Sequence, residues 1–168
     1  MINIIFGNIA SLISCLLDSF SATRKEKKDM LKIQCFSVLV YAISNTLLQA
    51  YSAVVQNVCA LVRNILAAKG IENKTVEYII VAISLFLGIY FNNLGLMGFL
   101  PVFANVEYSI CMFVLKGNVK GLKISFFICN MCFLIFNLYI KNYVGFVFTA
   151  IILISTMFSL IKDNQCNQ

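Results

Sequence analysis

Histidine and tryptophan are absent from this sequence, proline occurs once, at Pro101, and charged side chains make up only 12% of the 168 residues. The shortage of charge excludes an ordinary soluble domain, in which roughly 25% of residues are charged and about 45 to 50% apolar. Here 61% are hydrophobic and the mean hydropathy is +0.90. A lone secretory signal does not explain this, because apolar segments recur along the whole chain. Most of the polypeptide is therefore expected in lipid. Without histidine, the C-x-x-C of Cys129 and Cys132 lacks companion ligands, and no second pair stands near it. These two read as small apolar fillers on a helix rather than a redox or metal motif. Seven cysteines, an odd number, with all but Cys166 inside apolar runs, argue against a disulfide framework. No ATP-binding loop, no nucleophile with its base and no metal-ligand cluster occurs, so neither an enzyme nor a cofactor is expected.

What is present is a series of apolar runs broken by polar or charged residues, at 3–22, 31–49, 52–67, 77–94, 99–116, 122–140 and 143–161. Backbone groups in lipid must be satisfied within the element, and the hydrophobicity is even rather than alternating, so the runs read as helices and not as barrel strands. The expected fold is all-α, with seven transmembrane helices.

Charge tests that count. With seven spans, one side of the membrane receives Arg24, Lys25, Lys27, Lys28 and Lys32, then Arg63, Lys69 and Lys74, then Lys116, Lys120 and Lys123, and finally Lys162. The other side receives only Lys141, which accounts for all 13 basic residues. The positive-inside rule then sets the N-terminus outside and the C-terminus in the cytoplasm. The net charge of +6 is a topology signal. It points to the lipid bilayer, with its anionic headgroups, as partner and not to nucleic acid.

The two halves look alike. "MLKIQCF" at 30–36 and "GLKISFF" at 121–127 each open a helix after a basic loop, and Asn45 and Asn137 follow 14 and 15 residues after Leu31 and Leu122. Two parallel three-helix bundles, residues 1–67 and 99–168 with a short cytoplasmic tail, joined by a loop and linker helix over 68–98, give a 3+1+3 arrangement. The single linker helix is what lets both bundles run the same way.

"AVVQNVCALVRNIL" (53–66), "LPVFANV" (100–106) and "FLIFNLYIKNYVG" (133–145) resemble the YgjV-like bacterial inner-membrane proteins, with Asn57, Arg63, Asn64, Pro101, Asn137 and Gly145 as matching positions. The resemblance implies a bacterial cytoplasmic (inner) membrane location and brings no assigned activity with it. Its layout looks like that of SWEET sugar facilitators and PnuC vitamin-precursor carriers, whose substrate sits between parallel three-helix bundles. The sugar facilitators use Trp and Asn to hold their ligand. With no Trp in this chain, and Gly7 where a hinge proline would be sought, sugar is not implied as the substrate.

Polar residues inside the runs supply the candidate site. Gln34, Tyr41 and Asn45 share one helical face, and Asn130, Asn137 and Lys141 repeat the spacing. Two readings stand for these stripes, interhelical hydrogen bonds or ligand contacts in a cavity between bundles. Glu107 lies nine residues before Lys116, about 14 Å deep in a ~30 Å hydrocarbon layer. It would bind a coupling proton or a cationic part of a substrate, or else make a structural hydrogen bond with Asn57 or Asn130 nearby. Arg63 would snorkel to the interface, or contact an anionic group at a gate. Pro101, in a first helical turn, reads as a helix start.

The expected function is passage of a small polar molecule, facilitated or proton-coupled, with Asn45, Asn57, Glu107, Asn130 and Asn137 as substrate contacts and self-association as an option. The alternative is a non-transporting integral subunit that docks a partner protein or binds a vitamin-like ligand for an energy-coupling importer.

Overall fold

A computed structural model describes residues 1–21, 27–69, 73–114 and 119–165. Among them are seven α-helices and no strand: α1 (Ile2–Ser21), α2 (Lys27–Leu47), α3 (Tyr51–Ala68), α4 (Lys74–Tyr90), α5 (Phe99–Val114), α6 (Val119–Tyr139) and α7 (Tyr143–Gln165), with a 3-10 turn at Gly95–Gly98 before α5. Of the residues used above, Arg24, Lys25, Lys116 and Cys166 lie outside the described residues.

All seven expected helices are present, with ends shifted by up to four residues: α2 begins at Lys27 rather than 31, and α7 runs to Gln165 rather than 161. The run at 77–94 stops as a helix at Tyr90 because Asn92 turns its side chain onto the main chain. Its Oδ1 accepts from the Leu94 N–H at 3.0 Å and its Nδ2 donates to the Gly95 carbonyl at 2.8 Å, a local alternative to continuing the helix. Three helical stretches, Ile2–Ser21, Lys120–Tyr139 and Tyr143–Ile161, are long and apolar enough to cross a bilayer by themselves; Leu31–Leu47, Thr75–Tyr90 and Gly95–Cys111 are shorter apolar stretches.

The helices pack in chain order, and α1 meets α7 to close the circuit. α3 also touches α5, with α4 packed on both. Polarity is inverted relative to a water-soluble protein. The most deeply buried side chains include Ser11, Ser37, Ser44, Asn45, Gln56 and Asn137, while Phe86, Phe36, Phe158 and Ile154 stand exposed. Apolar faces of this extent belong against lipid tails, which leaves polar groups and close packing to hold helix to helix. The α1–α2 seam shows how. The Ser14 and Ser37 hydroxyls meet at 2.8 Å, Ser11 and Ser44 at 2.9 Å, and Ser44 donates to the Gly7 carbonyl at 2.8 Å. Pairing 7 with 44 and 14 with 37 makes the two helices antiparallel.

Helices α2 and α6, and the starts of α3 and α7, are offset by 92 residues. α2 and α6 have equivalent first and last residues, and α3 and α7 begin at Tyr51 and Tyr143. Each helix pair is joined by the same Schellman turn. In the first, Ala50 N–H donates to the Asn45 carbonyl and Gln49 N–H to the Thr46 carbonyl; in the second, Asn142 donates to Asn137 and Lys141 to Leu138. The left-handed residue is Gln49 (φ 57°) in one and Lys141 (φ 60°) in the other. The letter match "MLKIQCF"/"GLKISFF" lies at a displacement of 91, so it slips by one residue against the register of the helices.

Candidate functional site

A cavity of about 250 Å³ lies between the halves and takes lining side chains from α1, α2, α3, α5, α6 and α7. Its wall is largely apolar but carries polar groups, among them Tyr41, Asn57, Asn105, Asn130, Asn137 and Thr149, with Phe133 and Phe148 as aromatic faces. Four lining pairs are related by the 92-residue displacement: Val38 and Asn130, Tyr41 and Phe133, Asn57 and Thr149, Ala60 and Ile152. Residues 92 positions apart thus face one space.

The end of the cavity beside the α6–α7 turn is built from a hydrogen-bonded network. Tyr41 reaches across from α2, its hydroxyl donating to Asn137 Oδ1 at 3.3 Å and accepting from Asn142 Nδ2 at 3.3 Å. Asn137 Nδ2 donates to Thr149 Oγ1 at 3.2 Å, and Asn142 Oδ1 accepts the Gly145 N–H at 2.9 Å. Glycine is required at 145, since a Cβ there would stand 2.6 Å from Asn142 Nδ2 and 2.9 Å from the Tyr41 hydroxyl.

Two asparagines clamp this end. Asn8 of α1 donates to the Lys141 carbonyl at 2.9 Å and accepts the Val144 N–H at 3.0 Å. Asn93, ahead of α5, donates to the Gln49 carbonyl at 2.6 Å and accepts the Tyr51 N–H at 3.2 Å. The turn of each half is therefore held by an asparagine from outside that half, at the unsatisfied donors of a helix start.

Of the residues singled out from the sequence, Asn57, Asn130 and Asn137 come together on the cavity wall. Asn45, Glu107 and Arg63 do not line it. Asn45 is buried beneath the α2–α3 turn, its Oδ1 without a partner. Glu107 lies on the side of α5 near Cys129 and Cys132 of α6; its Oε1 accepts from Cys111 Sγ at 3.3 Å and its Oε2 is buried without a partner. No hydrogen bond joins it to Asn57 or Asn130 among the described residues. Arg63 occupies a separate crevice between α3, α4 and α5, lined also by Glu77, Gln56 and Ser84 and holding about 30 Å³ of free space. Gln56 and Ser84 bond to each other there at 2.6 Å, and Asn105 Nδ2 reaches Gln56 Oε1 at 3.3 Å, so Asn105 borders both spaces.

Asp18, Ser14 and Ser37 also line the central cavity, and sequence reading missed them. A signal was present: Gly7, Ser11, Ser14 and Asp18 recur at spacings of four, three and four, which puts small and polar residues on one face of α1.

A model of a family described as bacterial inner membrane protein, Imp-YgjV, matches residues 5–166. No curated protein and no solved structure matches the chain. The chain belongs to the Imp-YgjV family of bacterial inner membrane proteins.

Proposed function

We propose that this bacterial inner-membrane protein is a transporter that carries a small polar molecule through the cavity between its halves. In this reading all seven helices cross the bilayer, α1–α3 and α5–α7 are parallel repeats, α4 is the linker, and the basic helix ends face the cytoplasm. The observation that carries the proposal is the shared wall, where Asn57 and Thr149, and Val38 and Asn130, pairs 92 residues apart, line one cavity that has polar groups set among apolar ones. Substrate sites of repeat transporters lie near mid-membrane at the repeat interface. Asn57, Asn130 and Asn137 supply neutral hydrogen bonds to the substrate, and rocking of one half against the other exposes it to each side. Glu107, Asn45 and Arg63 act outside the cavity as packing and hydrogen-bonding groups. This reading involves no chemical step.

A transporter is favoured over a partner-docking subunit because the small residues that would make a docking seam, Gly7, Ser11 and Ser14, are buried against α2, whereas the outer faces carry large side chains such as Phe86 and Phe158. Uptake of a panel of labelled small metabolites into proteoliposomes tests the proposal, with Asn130→Leu as the comparison. Saturable uptake that Asn130→Leu abolishes is expected. An absence of uptake by the parent protein across a broad panel contradicts it.

A further inference from the structure

Among the described residues, the wall of the central cavity carries charge of one sign. Among its described lining residues Asp18 is the sole carboxylate, and there is no Lys or Arg. The basic side chain nearest in sequence to any of them on α3, Arg63, faces the neighbouring crevice with Glu77. Asp18 stands in the last turn of α1, which ends at Ser21, where the negative end of the helix dipole adds to the carboxylate rather than compensating it. The side chain is exposed while lining the cavity, which puts it at the rim and not at the end closed by Tyr41 and Asn137. Phe133 and Phe148 offer aromatic faces, which attract cations. Asn57 completes the set: its Nδ2 is buried and has no hydrogen-bond partner, a donor that a ligand's acceptor would satisfy. The volume of about 250 Å³ falls below the roughly 300 to 1,000 Å³ of sites for drug-sized ligands, so the occupant is small.

We propose that the cavity binds a small organic cation that also bears a hydrogen-bond acceptor, with Asp18 countering its charge at the rim and the Asn57 amide donating to its acceptor. This rests on the reading of the cavity as a substrate site and narrows the substrate to amines. Among the described lining residues, an anion would meet the Asp18 carboxylate with no basic group to offset it. A neutral molecule would leave that carboxylate with the Ser37 hydroxyl as its partner and no counter-charge among the described lining residues.

Two measurements test it. Cys15 lines the same cavity one turn before Asp18, so a variant retaining Cys15 as its sole cysteine reports the local field through its rates with a trimethylammonium and a sulfonate methanethiosulfonate. In Asp18→Asn the cation-to-anion rate ratio is expected to fall by about tenfold, the order expected for a unit charge at close range. An unchanged ratio overturns the proposal, and retention of the ratio by Asp18→Glu separates charge from misfolding. Choline and ethanolamine, set against neutral alcohols and dicarboxylates, are then assayed for thermal stabilisation of the purified protein. Stabilisation by an amine, lost in Asp18→Asn and weakened in Asn57→Ala, supports the assignment. Stabilisation by neutral or anionic compounds alone overturns it and leaves the transport reading intact. Amine binding without uptake keeps the assignment and contradicts transport.

Discussion

Asn45 and Asn137 occupy the same position in two helix ends of one geometry, yet only Asn137 has its side chain satisfied. Asn137 accepts from Tyr41 and Asn142 and donates to Thr149, whereas Asn45 Oδ1 is buried without a partner. The difference follows from what stands 92 residues away: Phe133 replaces the Tyr41 hydroxyl, and Ala50 replaces the Asn142 amide. Asn137→Leu is expected to lower thermal stability by about 1 to 2 kcal/mol, since it removes the acceptor of the Tyr41 hydroxyl proton and the donor to Thr149 Oγ1, which keep only their bonds to Asn142 and Gly145. Phe133→Tyr is expected to raise stability by about 0.6 kcal/mol by giving Asn45 a donor. Unfolding in mild detergent measures both, and a Phe133→Tyr variant less stable than the parent contradicts the equivalence of the halves.

The crossed clamps predict separable local openings. Asn8→Ala removes the acceptor of the Val144 N–H and Asn93→Ala that of the Tyr51 N–H. Loss of such a cap costs about 1 kcal/mol, or about fivefold in local opening. Hydrogen exchange is therefore expected to quicken at residue 144 in Asn8→Ala and at residue 51 in Asn93→Ala. Acceleration at both sites in either variant would show that the two turns open as one unit.

Glu107 gives a contrast between depth and direction. Asn105 lines the cavity and Glu107 does not, because two residues along a helix turn the side chain by about 200°. Glu107→Gln is expected to leave the concentration dependence of uptake unchanged, while Asn57→Leu weakens it. A Glu107→Gln variant that loses uptake while folding normally would return this carboxyl to the substrate path.

Much of the fold was legible in the sequence. Apolar runs located every helix, because in lipid each backbone group must bond within its own element, and polar stripes with spacings of seven and four located Asn137, Asn130 and Tyr41. The rest depended on direction and register. Counting residues gave Glu107 its depth without its facing, and the similarity of two seven-residue strings slipped by one against the helices. Asp18 was overlooked inside "CLLDSF" because its neighbours are apolar, although the face it shares with Ser14, Ser11 and Gly7 was visible in the spacing. Asn8 and Asn93 act through main-chain groups of distant turns, and no local pattern announces such partners.

In the proposed transporter, matching positions of two parallel halves face one water-filled space. Single cysteines at Asn57 and at Thr149, labelled in sealed inverted vesicles with a membrane-impermeant maleimide, test this most directly. Both are expected to react from the same face of the membrane and both to be shielded when the cavity is occupied. Reaction from opposite faces, or no reaction at either position, would contradict it.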